Sequence, residues 1–230
     1  MLVKRYTHNG AMGDIIYSLP TIISIGRGNL HLKHKNHYEF LEPLLLIQPY
    51  IDRIYHHRSE NEKKHHIKLS NYRKLNKADP SKLLTKCHLD LFDLEFDLSR
   101  KWLFNIVGYP LAPIVVNYTS RYHDKEEIDW TILQDYKEKV IFIGGFNDHL
   151  KFRKKVGFPI EQTYCNTAHE MTEIIKGSKL FIGNQSLGFA IAEALKHPRV
   201  LEVFYGQNNC QPQSNNGHTY LTHELIENYL

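Results

Sequence analysis

The sequence has 230 residues, 42% of them hydrophobic and 23% charged, with a formal net charge of +4; this suits one large or two small packed domains and excludes a disordered chain. No apolar run approaches the roughly 20 residues needed to cross a bilayer, and the N-terminus lacks the charged stretch and apolar core of an export signal. The three cysteines, Cys87, Cys165 and Cys210, are widely spaced and odd in number, which fits reduced thiols in a cytoplasmic protein better than a disulfide framework or a zinc site.

An extended run, Leu2–Thr7, enters the stretch HNGAMGDIIYSLPTI (8–22). Gly10, Ala11 and Gly13 fill its bend, and Asp14 opens a helix predicted over Ile15–Ser24. Glycine lets the backbone turn sharply and lets a ligand come close. An acid at this place either caps free helix N–H groups and matches the dipole or faces a ligand at the glycine turn. A strand at Asn29–Lys33 and a helix at Tyr38–Leu46 follow. His31, His34 and His37 are spaced by three, but no carboxylate or thiol is interleaved, so no metal site is read there.

The next predicted strand, Arg53–His57, opens a basic segment. Residues 53 to 77 hold eight cations against Glu60 and Glu62, a net +6. Such a run is either a solvated loop or a patch that receives an anionic partner. Residues 93–99, DLEFDLS, alternate polar and apolar, so Asp93–Leu98 reads as a strand with one wet face. The acids Asp90, Asp93, Glu95 and Asp97 belong to that wet face rather than to a metal cluster. A helix is predicted over Arg100–Val107. The stretch VGYPLAP (107–113) then breaks the pattern with two prolines and a glycine, and it divides residues 1–110 from 111–230.

The second half opens with a strand, Ile114–Tyr118, and a polar loop holding Ser120 and Arg121. An arginine here either clamps a diphosphate or stands as a plain exposed cation. A helix at Trp130–Tyr136 precedes the strand Val140–Gly144. Its Gly144-Gly145 end is a plain turn or a place of close approach to a ligand. Gln162–Cys165 reads as a strand and Ala168–Gly177 as a helix. The strand Leu180–Gly183 then runs through Asn184, Gln185 and Ser186 into a helix at Leu187–Leu195 that contains Gly188. Either Ser186 merely caps that helix, or the helix start attracts phosphate. Val200–Phe204 is the last strand, residues 207–220 are a polar loop, and His223–Tyr229 is a tail helix. Strands alternating with helices predict an α/β fold with parallel sheets. Two doubly wound sheets would face each other across a cleft, with ligands beyond the carboxyl ends of the strands.

Taken together, these stretches resemble glycosyltransferase family 9, the bacterial heptosyltransferase group with the GT-B fold. GAMGDIIYSLPTI is similar to the family's N-terminal Gly-Asp helix with its Leu-Pro. FDLSRKWLFNIVGYP is similar to the strand and helix that line the acceptor side, and FIGNQSLGFAIAEALKHPRV to the donor-binding strand, turn and helix. The resemblance implies two Rossmann-like domains, 1–110 on the acceptor side and 111–230 holding the donor. It implies an inverting glycosyltransferase that uses a nucleotide-sugar as substrate, with no metal and no cofactor. Asp14 takes the role of general base. Arg121, Gly144, Asn184, Gln185, Ser186, Leu187 and Gly188 fall to the donor and its phosphates, and Gly13, Ser99 and Arg100 to the acceptor side. The acceptor is a glycan or another anionic molecule, including modified DNA, because the +6 stretch lies in the acceptor half. The oligomeric state stays open.

The chain departs from the family pattern at Asn184, where members usually carry Asp, and at Phe189, where they carry His. It is also shorter than typical members. A non-catalytic module that binds a nucleotide or nucleotide-sugar is the alternative these departures allow. A hydrolase or epimerase on the same architecture ranks below both, because no second acid or base pairs with Asp14.

Overall fold

The structure, a computed structural model, describes residues 3–56, 66–72, 81–122 and 128–230. Strand β1 (Lys4–His8) leads into helix α1 (Met12–Ile25). Strand β2 (Gly28–Leu32), helix α2 (Lys35–Leu46), β3 (Ile51–His56) and the short β4 (Ile67–Lys68) complete a parallel sheet in the order β3-β2-β1-β4. Helix α3 (Leu84–Asp90) closes this half.

The second half holds strands β5 (Ile114–Asn117), β6 (Val140–Ile143), β7 (Glu161–Thr163), β8 (Leu180–Asn184), β9 (Arg199–Glu202) and β10 (Gly217–His218). All six pair parallel in the order β10-β9-β8-β5-β6-β7. Helices α4 (Phe146–Val156), α5 (Ala168–Gly177), α6 (Leu187–Leu195) and α7 (His223–Glu227) connect and cover them. Every residue of β5, β6, β8 and β9 is buried, as expected of parallel strands covered on both faces. The architecture is therefore the α/β, two-sheet one that the strand–helix alternation predicts.

The two halves share one core. Helix α1 packs on α6 and α2 on α5, so Ile15, Leu19 and Ile22 lie in the same apolar cluster as Phe189, Ile191 and Ile175. A second cluster, built on Trp130, Phe142 and Phe152, covers the other face of the larger sheet. Among the described residues no helix is long and apolar enough to cross a membrane, and no group of three or more His, Cys, Asp or Glu is placed to hold a metal ion.

One buried hydrogen bond explains the seam between the halves. Pro20 lies inside α1 and has no N–H, so the carbonyl of Ile16 loses its usual helical donor. The indole Nε1 of Trp102 donates to that carbonyl at 3.1 Å. The backbone N–H of Trp102 in turn donates to Ala194 O at the end of α6 (2.9 Å), and Lys196 Nζ sits 4.5 Å from the centre of its ring.

That tether corrects two expectations. Asp93–Leu98 is not a strand and Arg100–Val107 is not a helix. Asp93 and Asn105 adopt left-handed φ values of 52° and 57°, which interrupt regular structure. The N–H groups of Trp102, Leu103, Phe104 and Tyr109 go to Ala194 O, Gln48 Oε1 and Glu173 O instead of to their own segment. Gly108 and Gly177 allow this segment to cross the end of α5, for a Cβ on Gly177 would stand 2.2 Å from Tyr109 O. The acids form no strand face: Asp90 pairs with Lys82 and Lys86, and Asp97 accepts from Ser99. Trp130–Lys139 is 3₁₀ rather than α. Helices α3 and α4 were not anticipated, because the Gly144-Gly145 pair that precedes α4 reads as a turn.

Replacing the indole by a ring without a donor tests the seam. Trp102→Phe leaves the buried Ile16 carbonyl without its partner and should cost about 1–3 kcal/mol in urea unfolding. The loss should shrink in a Pro20→Ala background, where a backbone N–H returns at position 20. An equal loss in both backgrounds would exclude this bond as the cause.

Candidate functional site

A cavity of about 520 Å³ lies where the carboxyl ends of the two sheets meet. From the first half, Gly13, Asp14 and Tyr17 of α1 line it, with Tyr72, Lys82 and Cys87. From the second half come Arg121 and Tyr122 after β5, Gln185 to Leu187 at the start of α6, and Gln207, Asn209 and Cys210 after β9. Leu84 N–H donates to Asn209 O at 2.8 Å and closes one side.

Asp14 sits in the first turn of α1 and is 9% exposed. The hydroxyl of Tyr72 donates to its Oδ2 at 3.2 Å. The ring of Tyr72 is held by His88, with centres 4.1 Å apart. Gly10 is bare because Asp14 fills its space: a Cβ there would stand 2.8 Å from Oδ2. A Cβ on Gly13 would lie 3.8 Å from both Ser186 O and Ala190 Cβ, so α1 and α6 approach closely beside the acid.

Ser186 has a spent hydroxyl. It accepts from Phe189 N, capping α6 (3.3 Å), and donates to Asn117 Oδ1 (2.7 Å). The N–H groups of Leu187 and Gly188 belong to the first turn of α6, where a helix supplies no internal acceptor. Gly188 itself is buried against Asn117, whose Oδ1 would be 2.7 Å from an added Cβ. Gln185 donates to Gln207 O at 2.6 Å and ties the 205–216 loop to the start of α6. That loop is anchored further back by fully buried Arg199, which pairs with Glu193 and bonds Ser214.

Asn184 does not line the cavity. Its carboxamide is buried and fully engaged: Oδ1 accepts from Thr119 N at 3.0 Å, and Nδ2 donates to the carbonyls of Thr119 (2.8 Å) and Arg121 (2.7 Å). It shapes the loop that presents Arg121, whose guanidinium lies over the Tyr122 ring. A carboxylate could not serve here, since two carbonyl oxygens demand a donor. Phe189 is buried in the shared core and is likewise a packing residue. Gly144 stands outside the cavity at the end of β6 with φ +144°. Ser99 and Arg100 do not line the cavity either. Both are exposed and precede Trp102, which bonds the far end of α6, so they stand away from the cavity.

Sequence reasoning missed Tyr17, Tyr72, Lys82, Cys87 and Cys210. Tyr17 had a signal, being one turn beyond Asp14 on the same helix face; the others arrive from distant segments. Burial pushes the Tyr17 hydroxyl well above its usual range and the Cys210 thiol up to about 12, so both are neutral. Of the basic 53–77 segment, Arg53, Lys68 and their neighbours at 54–56, 66–67 and 69–72 are described. Arg58, Lys63, Lys64, Arg73, Lys74 and Lys77 lie outside the described residues.

Solved structures that superpose on this chain include glycosyltransferases. The family 9 glycosyl transferase from Veillonella parvula superposes with a TM-score of 0.64 at 12% identity, over 95% of this chain and 85% of that one. The heptosyltransferase WaaC of E. coli, solved with ADP, gives 0.63 at 9% identity, over 98% and 95%. The dodecameric heptosyltransferase TibC, solved with ADP-D-β-D-heptose, gives 0.61 at 14%, over 97% of this chain and 65% of its own length.

The fold is that of the family 9 glycosyltransferases.

No protein-family model matches the sequence, and no curated protein matches it. Asp14 stands on α1, directly after β1 of the smaller sheet, while Arg121 follows β5 and the start of α6 follows β8 of the larger one.

The role of Asn184 is open to a direct test. Asn184→Asp places a carboxylate against two carbonyl oxygens and should destabilise the protein by about 1–3 kcal/mol in urea unfolding. Wild-type stability in this variant would refute the loop-shaping role.

Proposed function

We propose that the chain is an inverting, metal-independent glycosyltransferase that moves a sugar from a nucleotide-sugar donor to an acceptor hydroxyl. The observation that carries this reading is that Asp14 and the start of α6 line one cavity. The Asp14 carboxylate takes the proton of the acceptor hydroxyl as its oxygen attacks the anomeric carbon. The bond from that carbon to the diphosphate breaks in the same displacement, which inverts the configuration. The charge that grows on the leaving diphosphate is met by the N–H groups of Leu187 and Gly188, by the positive end of α6 and by Arg121. The resident positive charge at that end fills the role that a divalent ion plays in metal-dependent transferases. Tyr72 holds the Asp14 carboxylate toward the cavity.

The first donors to try are ADP-sugars, given the ligands bound in WaaC and TibC. An anionic acceptor, a glycan or modified DNA, fits Lys82 on the first-half wall and the excess of cations between residues 53 and 77. The two departures that favoured a non-catalytic module, Asn184 and Phe189, both have structural work in the loop and the core.

Asp14→Asn should lower the transfer rate on the order of 10²–10⁴-fold with nucleotide affinity unchanged, as read by nucleoside diphosphate release and by calorimetric titration. A variant that kept the full rate would rule Asp14 out as the base. A wild type that binds nucleotide diphosphates and turns over no nucleotide-sugar would mark the chain as a binding module.

A further inference from the structure

Two of the histidines spaced by three, His34 and His37, meet a third ring, His8, at the turn that precedes Asp14. His8 ends β1 and is 2% exposed. Lys33 N–H donates to His8 O at 3.2 Å, which brings the start of α2 beside the end of β1. His34 directly precedes α2 and His37 lies in its first turn, with ring centres 4.9 Å apart. Each ring bonds the backbone of the Asn9-Gly10 turn. Gly10 N–H donates to His8 Nδ1 at 3.0 Å, and His34 Nε2 donates to Asn9 O at 3.2 Å. His37 bonds the backbone of Gly10 in a way that favours its charged form, so this ring also donates, to the Gly10 carbonyl. The same turn touches the acid. An added Cβ on Gly10 would stand 2.7 Å from His8 Cε1 and 2.8 Å from Asp14 Oδ2, so the His8 ring and the carboxylate meet over one bare residue.

The three bonds respond differently to a proton. A carbonyl only accepts, so His34 and His37 donate to the turn and keep their bonds when charged. A backbone N–H only donates, so His8 Nδ1 carries a lone pair and the proton of the neutral ring sits on Nε2. Protonating His8 sets N–H against N–H and removes that tie. The titratable groups facing this cluster are Asp14 on α1, His88 on α3, whose ring centre is 5.5 Å from that of His8, and Tyr72, which bonds Asp14 and packs on His88. Lys82 and Arg121 share the cavity with Asp14.

We propose that His8, His34 and His37 are positioning residues that hold the Asn9-Gly10 turn and with it Asp14, and that His8 makes this hold depend on pH. The hold is complete with the neutral His8 ring and loosened with the charged one. The ring gains its proton as pH falls through the histidine range, so the alignment of Asp14 is full above that range and lost below it. The consequence for turnover rests on the transferase reading above; the turn itself does not.

Proton–nitrogen NMR of the full chain over about pH 5 to 8 reads the turn without a substrate. The Gly10 and Asp14 amide signals of the wild type should move with protonation of His8, and His8 Nδ1 should be unprotonated at the alkaline end. His8→Asn keeps an acceptor for Gly10 N–H and removes the titration, so both signals should stay fixed across the range. Release of ADP from ADP-heptose, the nucleotide-sugar bound in TibC, reads the rate. The wild type should lose about tenfold per pH unit below the histidine range, and His8→Asn should lack that limb. His8→Ala should be slower by roughly 10- to 100-fold at every pH. Amides indifferent to His8, or an acid limb that His8→Asn leaves in place, would overturn the proposal. If the amides follow His8 and the wild type turns over no nucleotide-sugar at any pH, the transferase reading falls and the pH-dependent turn stands.

Discussion

The indole of Trp102 on the carbonyl of Ile16 holds the two halves in one arrangement. A proline inside a buried helix leaves a carbonyl that water cannot reach, and burying such a group unpaired is costly. The chain meets that need from 86 residues away in sequence. Because Trp102 also bonds the end of α6, satisfying one carbonyl fixes the segment between the sheets against both halves. This explains why residues 93–107 are neither strand nor helix. The N–H groups of Trp102, Leu103 and Phe104 serve other elements, and those of Ser99 and Arg100 close a local turn on Asp97, so the segment has no regular ladder of its own.

The cavity inherits its geometry from that seam. Helices α1 and α6 meet closely at Gly13 and Ser186, and each begins at the carboxyl end of a strand, β1 in one sheet and β8 in the other. Two helix starts thus share one space: one bears the acid, and the other bears first-turn N–H groups for which a helix supplies no internal acceptor. The surrounding polar groups are mostly committed. Ser186 donates to Asn117, and the amides of Asn117, Asn184 and Gln185 donate to the carbonyls of Ile143, Thr119 and Gln207. The edge of the larger sheet is therefore a preorganised frame that presents Arg121, while Asp14 and Lys82 reach the cavity from the first half.

Much of this was legible in local pattern. The Gly-Asp turn, the Asn-Gln-Ser bend and the alternation of apolar runs with amphipathic segments depend on neighbours within a few residues, and those signals survive in one sequence. The reading went astray where local pattern and long-range bonding disagreed. The alternation in DLEFDLS imitates a strand, and Asn184 beside a predicted phosphate turn imitates a ligand contact. In the structure the first is a tether, and the second is a brace for the loop carrying Arg121.

By itself the sequence determined the fold class, the two sheets and the placing of Asp14 and Ser186 at helix starts, because backbone propensity, glycine geometry and apolar periodicity act locally. Tertiary structure alone decided that Tyr72, Lys82, Cys87 and Cys210 join them, that Ser99 and Arg100 do not, and that Asn184 faces carbonyls rather than a cavity. Those outcomes depend on which distant carbonyls and carboxylates must be satisfied when the halves close, and no spacing along the chain encodes that.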